Sequence, residues 1–250
     1  MRALRPIPLA ALLAALFAAQ AAAEEPAVPD WSFAGVFGTY DRAAARRGFE
    51  VYKNVCAACH SLSLVHYRNL EEIGFTEDEV KGIAAERQVT DGPNDQGEMF
   101  QRPARAADRF VPPFANEVQA RLANNGALPP DLSVIVKARK GGADYIYEFL
   151  TGYVDPPEGF TVPDGMYYNA AFLGNAIAMP LPLSDGVVTY ADQTPATVPQ
   201  MAADVTTFLN WAAEPELDAR KKMGLRVMMF LVLLTAMLYA VKRKVWGSVH

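Results

Sequence analysis

The chain reads as mainly α-helical: an exported helical domain with long irregular connections, followed by one C-terminal membrane helix. Three observations predict this. Met223 to Val241 is apolar except at Gly224, Arg226 and Thr235, and at about 1.5 Å per residue such a run approaches the roughly 30 Å of a bilayer's hydrocarbon. The first 23 residues have the form of a secretory signal. Between these ends, apolar residues recur at helical spacing in several short stretches separated by Pro- and Gly-rich segments.

At the N-terminus, Arg2 and Arg5 form a positive region, and Leu9 to Ala19 is apolar. Ala21-Ala22-Ala23 offers small residues for cleavage before Glu24-Glu25, so residues 1–23 are expected to be removed. The mature domain is then 24–219. Tyr40 to Val55 places Ala45, Phe49, Tyr52 and Cys56 on one face of a first helix. Thr76 and Glu79 form a capping box ahead of a helix through Val80 and Ile83. Another helix is expected to end near Asn124-Asn125-Gly126. Pro130-Asp131 is read as opening a further helix, with Leu132, Ile135 and Val136 inward and Gly141-Gly142 closing it. Asp144 to Leu150 is a short candidate. Thr197-Val198-Pro199-Gln200 reads as a second capping box, before Met201, Val205, Phe208 and Ala212 on one face and a stop at Glu214-Pro215. Asp91 to Pro113 and Val154 to Pro182 are expected as ordered loops around a buried group. The membrane helix is placed at 220–243, with Lys242-Arg243-Lys244 and Trp246 at its end and a short tail at 244–250. The basic end belongs in the cytoplasm and the acidic domain on the periplasmic side of an inner membrane.

The chemistry is concentrated in Cys56-Ala57-Ala58-Cys59-His60. This is C-x-x-C-H, the attachment signature of a c-type haem. Two thiols three residues apart lie on about one helical turn, where both can add to vinyl groups on one porphyrin edge. The adjacent imidazole can then reach the iron. These are the chain's only two cysteines. A redox dithiol or half a zinc site has the same spacing, but zinc needs two more ligands, and only His66 and His250 remain among histidines. One covalently bound haem c is therefore expected, and with it one-electron chemistry that belongs to the cofactor.

Charge is distributed unevenly. All 28 acidic residues fall within 24–219, against 14 Lys and Arg, a formal charge of −14 for the domain where the whole chain has −5. Such a surface favours a basic partner and a fast, salt-sensitive encounter, though solubility alone would also account for it. There is no phosphate-binding glycine loop, no Ser-His-Asp candidate and no basic patch suited to nucleic acid.

The second axial ligand decides between electron transfer and small-ligand chemistry. His66 lies only six residues from His60. Met99 and Met166 sit in polar turns, and Met201 fits the core stripe of its own helix. Met179, in Asn175-Ala176-Ile177-Ala178-Met179-Pro180-Leu181-Pro182, stands in a loop stiffened by two prolines. It is the favoured ligand, since a thioether there would raise the potential. A methionine packed under the loop is the alternative.

The chain resembles the cytochrome c1 family, the haem-bearing subunit of quinol–cytochrome c oxidoreductases, in its alpha-proteobacterial form. The resemblance runs from about Trp31 to Trp246. It rests on Trp31-Ser32-Phe33, Arg47-Gly48-Phe49, Val55 to Ser61, Tyr67-Arg68-Asn69-Leu70, Asp91-Gly92-Pro93-Asn94 and Gly97-Glu98-Met99-Phe100. It continues in Ala123 to Ser133, Leu150-Thr151-Gly152-Tyr153, Ala176 to Met179, and Trp211 to Pro215. It implies a class I cytochrome c-like haem domain plus one transmembrane helix. It also implies thioethers at Cys56 and Cys59, axial ligation by His60 and Met179, Arg121 near a haem propionate, the segment Asn125 to Leu132 along the haem pocket, and Tyr153 nearby. The partners implied are a Rieske iron–sulfur protein as donor, cytochrome b as neighbour, a soluble basic cytochrome c as acceptor, and a dimeric complex. The chain itself would be a non-catalytic electron-transfer subunit. An anchored peroxidase or gas sensor, and a purely structural haem subunit, are the competing readings. Some bacterial relatives have an extra cysteine pair; this chain has none, which leaves open how the loop before Met179 is braced.

Overall fold

A computed structural model of the chain describes residues 28–247. The expected signal segment, and the tail beyond Gly247, lie outside the described residues. The fold is mainly helical. Helix α1 spans Arg42–Asn54, α2 Glu77–Ala85, α3 Glu117–Ala123, α4 Ala143–Thr151, α5 Val198–Ala213 and α6 Leu217–Trp246. Two 3-10 segments, Cys56–Ala58 and Tyr67–Ile73, follow α1.

Helix α1 starts where Asp41 accepts hydrogen bonds from the amides of Ala43 and Ala44, at 2.9 and 3.1 Å. This satisfies two of the orphan donors of the first turn. Ala45, Gly48, Phe49, Val51 and Tyr52 form its buried face. That face packs on α5, whose Met201, Val205 and Phe208 are almost fully buried. The helices meet most closely at Gly48. A Cβ built there would lie 2.0 Å from the Asp204 carbonyl oxygen and 2.7 Å from Cβ of Phe208. Only hydrogen fits between these backbones, so glycine here sets the helix spacing.

A buried ion pair fixes the same crossing. Arg47 donates from Nε and Nη2 to the two carboxylate oxygens of Asp204, both at 2.9 Å, and from Nη1 to Asp192 at 3.0 Å. Gln200 donates to Asp204 as well, at 3.0 Å. The Asp204 side chain is 1% exposed. The hydrogen bond from Arg47 to Asp204 raises the guanidinium pKa above its ordinary value, against the opposing effect of burial. The fork geometry of arginine suits a two-pronged contact of this kind. Gln200 is therefore turned toward Asp204, and the Thr197 cap is one-sided: Thr197 accepts from the Gln200 amide at 3.4 Å. The Thr76–Glu79 box is reciprocal, as its sequence predicts.

Two expectations are corrected. Residues 130–142 form a chain of turns, not a helix. Leu132, Ile135 and Val136 are buried as expected, but the Leu132 amide bonds the Ser61 carbonyl at 2.9 Å and Asp131 is engaged by three serines. Non-local bonds thus outweigh local helix propensity. Asp91 to Pro113 does not wrap the buried group. It begins at the end of strand β1 (Gln88–Asp91) and supplies the antiparallel partner β2 (Phe100–Pro103), in register Gln88↔Pro103. A second short pair, Tyr167–Tyr168 (β3) with Ala176–Ile177 (β4), lies in the loop before Met179.

Helix α6 continues from the domain with only Glu214-Pro215-Glu216 between it and α5. Its Leu217 is buried, whereas Met223 to Trp246 are mostly exposed. It is long and apolar enough to cross a membrane, with mean hydropathy 2.0 over its most apolar window. The start of α6 is tied to the domain. Lys137 pairs with Glu214 at 2.9 Å. The Tyr40 hydroxyl donates to backbone carbonyls of Asn210 and Glu214, at 3.0 and 3.2 Å.

Two outcomes follow from this packing. Gly48→Ala should destabilise the haem-loaded protein by about 2 kcal/mol, because overpacking at a backbone contact outweighs alanine's better helix propensity. Gly82→Ala, on α2 with open space around it, should instead gain up to about 1 kcal/mol. Chemical denaturation of both variants checks the pair, and an equal response would refute the spacing role of Gly48. Asp204→Ala should cost about 3–5 kcal/mol by stranding Arg47, whereas loss of the solvent-exposed Lys81–Glu77 pair should leave the denaturation midpoint unchanged.

Candidate haem site

Helix α1 ends at Asn54, and the chain tightens into the 3-10 turn Cys56–Ala58. The Cys59 and His60 amides both bond the Cys56 carbonyl, at 3.1 and 2.9 Å. This one turn places Cys56, Cys59 and His60 on the wall of a single cavity of about 490 Å³. Leu132, Ile135, Ile146, Phe149, Leu150 and Leu209 supply much of its apolar lining. Met179 lines the same cavity, from a segment 119 residues further along the chain than His60. The volume lies within the usual range for buried ligand sites.

The His60 ring is oriented from behind. Its Nδ1 is 2.8 Å from the carbonyl oxygen of Pro130. A carbonyl can only accept, so Nδ1 holds the proton and Nε2 keeps its lone pair. Burial lowers the imidazole pKa, against the raising effects of the Pro130 carbonyl and Asp131. The ring is therefore neutral at physiological pH, the form a metal requires.

Pro130 is itself anchored through its neighbour. Asp131 accepts from the Ser61 hydroxyl at 2.7 Å, the Ser63 amide at 2.9 Å and the Ser133 amide at 2.8 Å. Burial alone would raise its pKa, but hydrogen bonds from Ser133, Ser63 and Ser61 hold the carboxyl well below the usual range. The segments on either side of the imidazole, 61–63 and 130–133, are thus joined through one carboxylate.

The thiol of Cys56 is pushed up to about 12, chiefly by burial. Such a group is a poor thiolate and a poor redox nucleophile. An apolar cavity with two thiols, a neutral tautomer-fixed imidazole and a thioether on its walls fits a c-type haem.

The Met179 loop is braced by polar side chains. Asn169 is fully buried. It donates to the Phe149 carbonyl at 2.8 Å and accepts from the amides of Ala171 and Phe172, at 3.0 and 3.1 Å. Asn175, in the left-handed region at φ 57°, donates back to the carbonyls of Asn169 and Ala170. The Tyr153 hydroxyl donates to the Met179 carbonyl at 3.1 Å. Tyr153 thus touches the backbone that presents Met179.

Arg121 is exposed, its guanidinium 3.1 Å from the Gly126 carbonyl, and Ala123, Asn124 and Asn125, two to four residues further along, line the cavity. Arg121 itself is not among the lining residues; Arg139 is. Pro130 and Asp131 enter the sequence reading only as the start of a helix and as part of the segment Asn125 to Leu132, most of which does line the cavity; Asn169 and Arg139 are not singled out in it. A backbone carbonyl leaves no trace in residue type; Asp131 and Ser133, one and three residues after Pro130, are the nearest signal.

Known proteins share this sequence along most of its length. The model of the cytochrome C1 family matches residues 31–249. The chain is 52% identical over 232 residues to "Cytochrome c1-2, heme protein, mitochondrial" of Solanum tuberosum, covering 89% of each chain. It is 51% identical over 225 residues to "Cytochrome b-c1 complex catalytic subunit, mitochondrial" of Candida albicans, covering 90% of this chain and 78% of that one. It is 48% identical over 249 residues to "Cytochrome b/c1" of Bradyrhizobium diazoefficiens, covering 91% of this chain. The chain spans about a third (36%) of that longer relative. The match extends over the haem motif, the Met179 loop and α6 alike, and the chain belongs to the cytochrome c1 family.

Proposed function

We propose that this chain relays single electrons from a Rieske iron–sulfur protein to a soluble cytochrome c, as the membrane-anchored haem subunit of a quinol–cytochrome c oxidoreductase. One observation supports this above the rest: Cys56, Cys59, His60 and Met179 share one apolar cavity, with the His60 ring held as its Nδ1–H tautomer. The haem supplies the one-electron chemistry when bound. Cys56 and Cys59 would hold it covalently. His60 and Met179 would fill the two axial positions and leave no site for a small ligand. The relatives named for the b-c1 complex support assembly with cytochrome b and the iron–sulfur protein, and a dimeric complex belongs to the same reading.

In this reading residues 1–23 are a cleaved signal, 24–219 a periplasmic haem domain, 220–243 a single span and 244–250 a cytoplasmic tail. Arg121, two residues before the cavity-lining Ala123, would turn its fixed charge toward a haem propionate. The Tyr153 hydroxyl steadies the Met179 carbonyl. The chain is not itself a catalyst of quinol oxidation.

Potentiometric titration of the haem α-band tests the ligand pair. The wild type should give a single one-electron midpoint in the high range, and Met179→Leu should lower it by on the order of 100 mV or more. The variant should also bind carbon monoxide in its ferrous state, which the wild type should not. A midpoint indifferent to the substitution would remove Met179 as ligand and reopen the enzyme and sensor readings. The acidic domain makes a second outcome measurable. The second-order rate with a basic soluble cytochrome c should fall steeply as ionic strength rises, and a salt-independent rate would argue that the charge serves only solubility.

A further inference from the structure

We propose that the loop tip Gly35-Val36-Phe37 is a second membrane contact, inserted among lipid headgroups beside α6. Val36 and Phe37 are 75% and 79% exposed, although Phe33 and Tyr40 at the loop's base are buried. The loop is a rigid support. The Thr39 amide bonds the Ser32 carbonyl at 2.9 Å and the Ala34 amide bonds the Trp31 carbonyl at 2.9 Å. The rings of Phe33 and Tyr40 meet at 5.5 Å between centroids. A Cβ on Gly38 would lie 2.0 Å from the Ala34 carbonyl oxygen, so only glycine allows the strands of the loop to close.

Its direction is set by α6. The Tyr40 amide donates to Asp218 at 3.2 Å, and Lys221, one turn further along, donates to the carbonyls of Gly38 and Phe33 at 3.0 and 2.7 Å. Going backward from Tyr40 to Gly38, the loop therefore descends alongside the helix, from the level of Asp218 to that of Lys221. Continuing the same course would bring Phe37 and Val36 toward Met223 and Leu225, where the apolar run begins. Two residues of helix, about 3 Å of rise, separate Lys221 from Met223.

The charges at this level favour lipid as the occupant. Arg220 pairs with Glu214 and Lys221 with the loop's own carbonyls, which leaves Lys222, directly ahead of the apolar run, to reach a phosphate headgroup. An apolar tip on a backbone that is already closed can enter the interface without an ordering penalty, in the manner of other interfacial anchors. The inference rests on α6 being the membrane anchor.

Spin labels test it, because the two native cysteines hold the haem and an introduced one is the sole free thiol. Phe37→Cys, Val36→Cys, Leu233→Cys and Leu122→Cys are made in the haem-loaded full chain, nitroxide-labelled and placed in nanodiscs of phosphatidylcholine and phosphatidylglycerol. Leu233 lies mid-span, and Leu122 is an exposed position on α3. Power saturation compares collisions with oxygen and with a water-soluble nickel chelate. The expected oxygen-to-nickel ratio at position 37, and at 36 should the first variant fail to fold, lies between those at 233 and 122. A ratio equal to that at 122, with 233 in lipid, overturns the loop proposal alone. A label at 233 that reports water overturns the anchor reading with it. Protection from both reagents at 36 and 37 would mean a protein surface covers the tip and would overturn the lipid assignment.

Discussion

The contact between α1 and α5 at Gly48 is the constraint on which the rest of the molecule depends. Backbone meets backbone there, with no room for a Cβ against the Asp204 carbonyl. Arg47 and Asp204 flank that point with a buried, forked ion pair. The steric and electrostatic requirements coincide within two residues of each helix. A buried ion pair is weak evidence of net stability, but it is costly to break and specifies one register. That register positions both ends of the site. α1 leads directly into the Cys56 turn, and α5 contributes Val205 and Leu209 to the cavity wall.

From this frame the cavity-facing side chains of His60 and Met179 are positioned by short chains of hydrogen bonds. Asp131 joins the two segments that flank His60, and the Pro130 carbonyl then sets the imidazole tautomer. On the Met179 segment Asn169, Asn175 and Tyr153 do the corresponding work. Each group is neutral or acts as an acceptor of several donors, so none needs an external counter-charge. Ligands held this way lose little entropy when a metal is bound, which is the usual advantage of outer-shell support.

The legible part of this fold was the part encoded by local pattern. The α1 and α5 stripes, the Thr76–Glu79 box and the Cys56–His60 spacing are each set by neighbours within a turn or two. The failures share a cause. Residues 130–142 have apolar spacing that suits a helix, yet Asp131 and Leu132 bond to Ser61 and Ser63, some 70 residues earlier. Gln200 leaves its cap for Asp204. The β1–β2 pair lies in a Gly- and Pro-rich stretch whose composition suggests only loop. In the site, cysteine and histidine announce themselves by type and spacing, whereas the Pro130 carbonyl acts through backbone that any residue would supply. Met179 could be favoured from its prolines, but the asparagines that brace its loop look, in sequence, like ordinary turn formers.

The junction at Glu214-Pro215-Glu216 has a mechanical consequence. Three residues separate the core helix α5 from α6, and Lys137 and Tyr40 clamp them from the domain side. There is no tether to pay out. The haem cavity therefore stands at a fixed height and azimuth relative to the membrane helix, like a lamp bolted to its post. On the proposed relay, an electron donor embedded in the same membrane would find no swing of this domain toward it. The search for contact, and the distance travelled, fall to the partner.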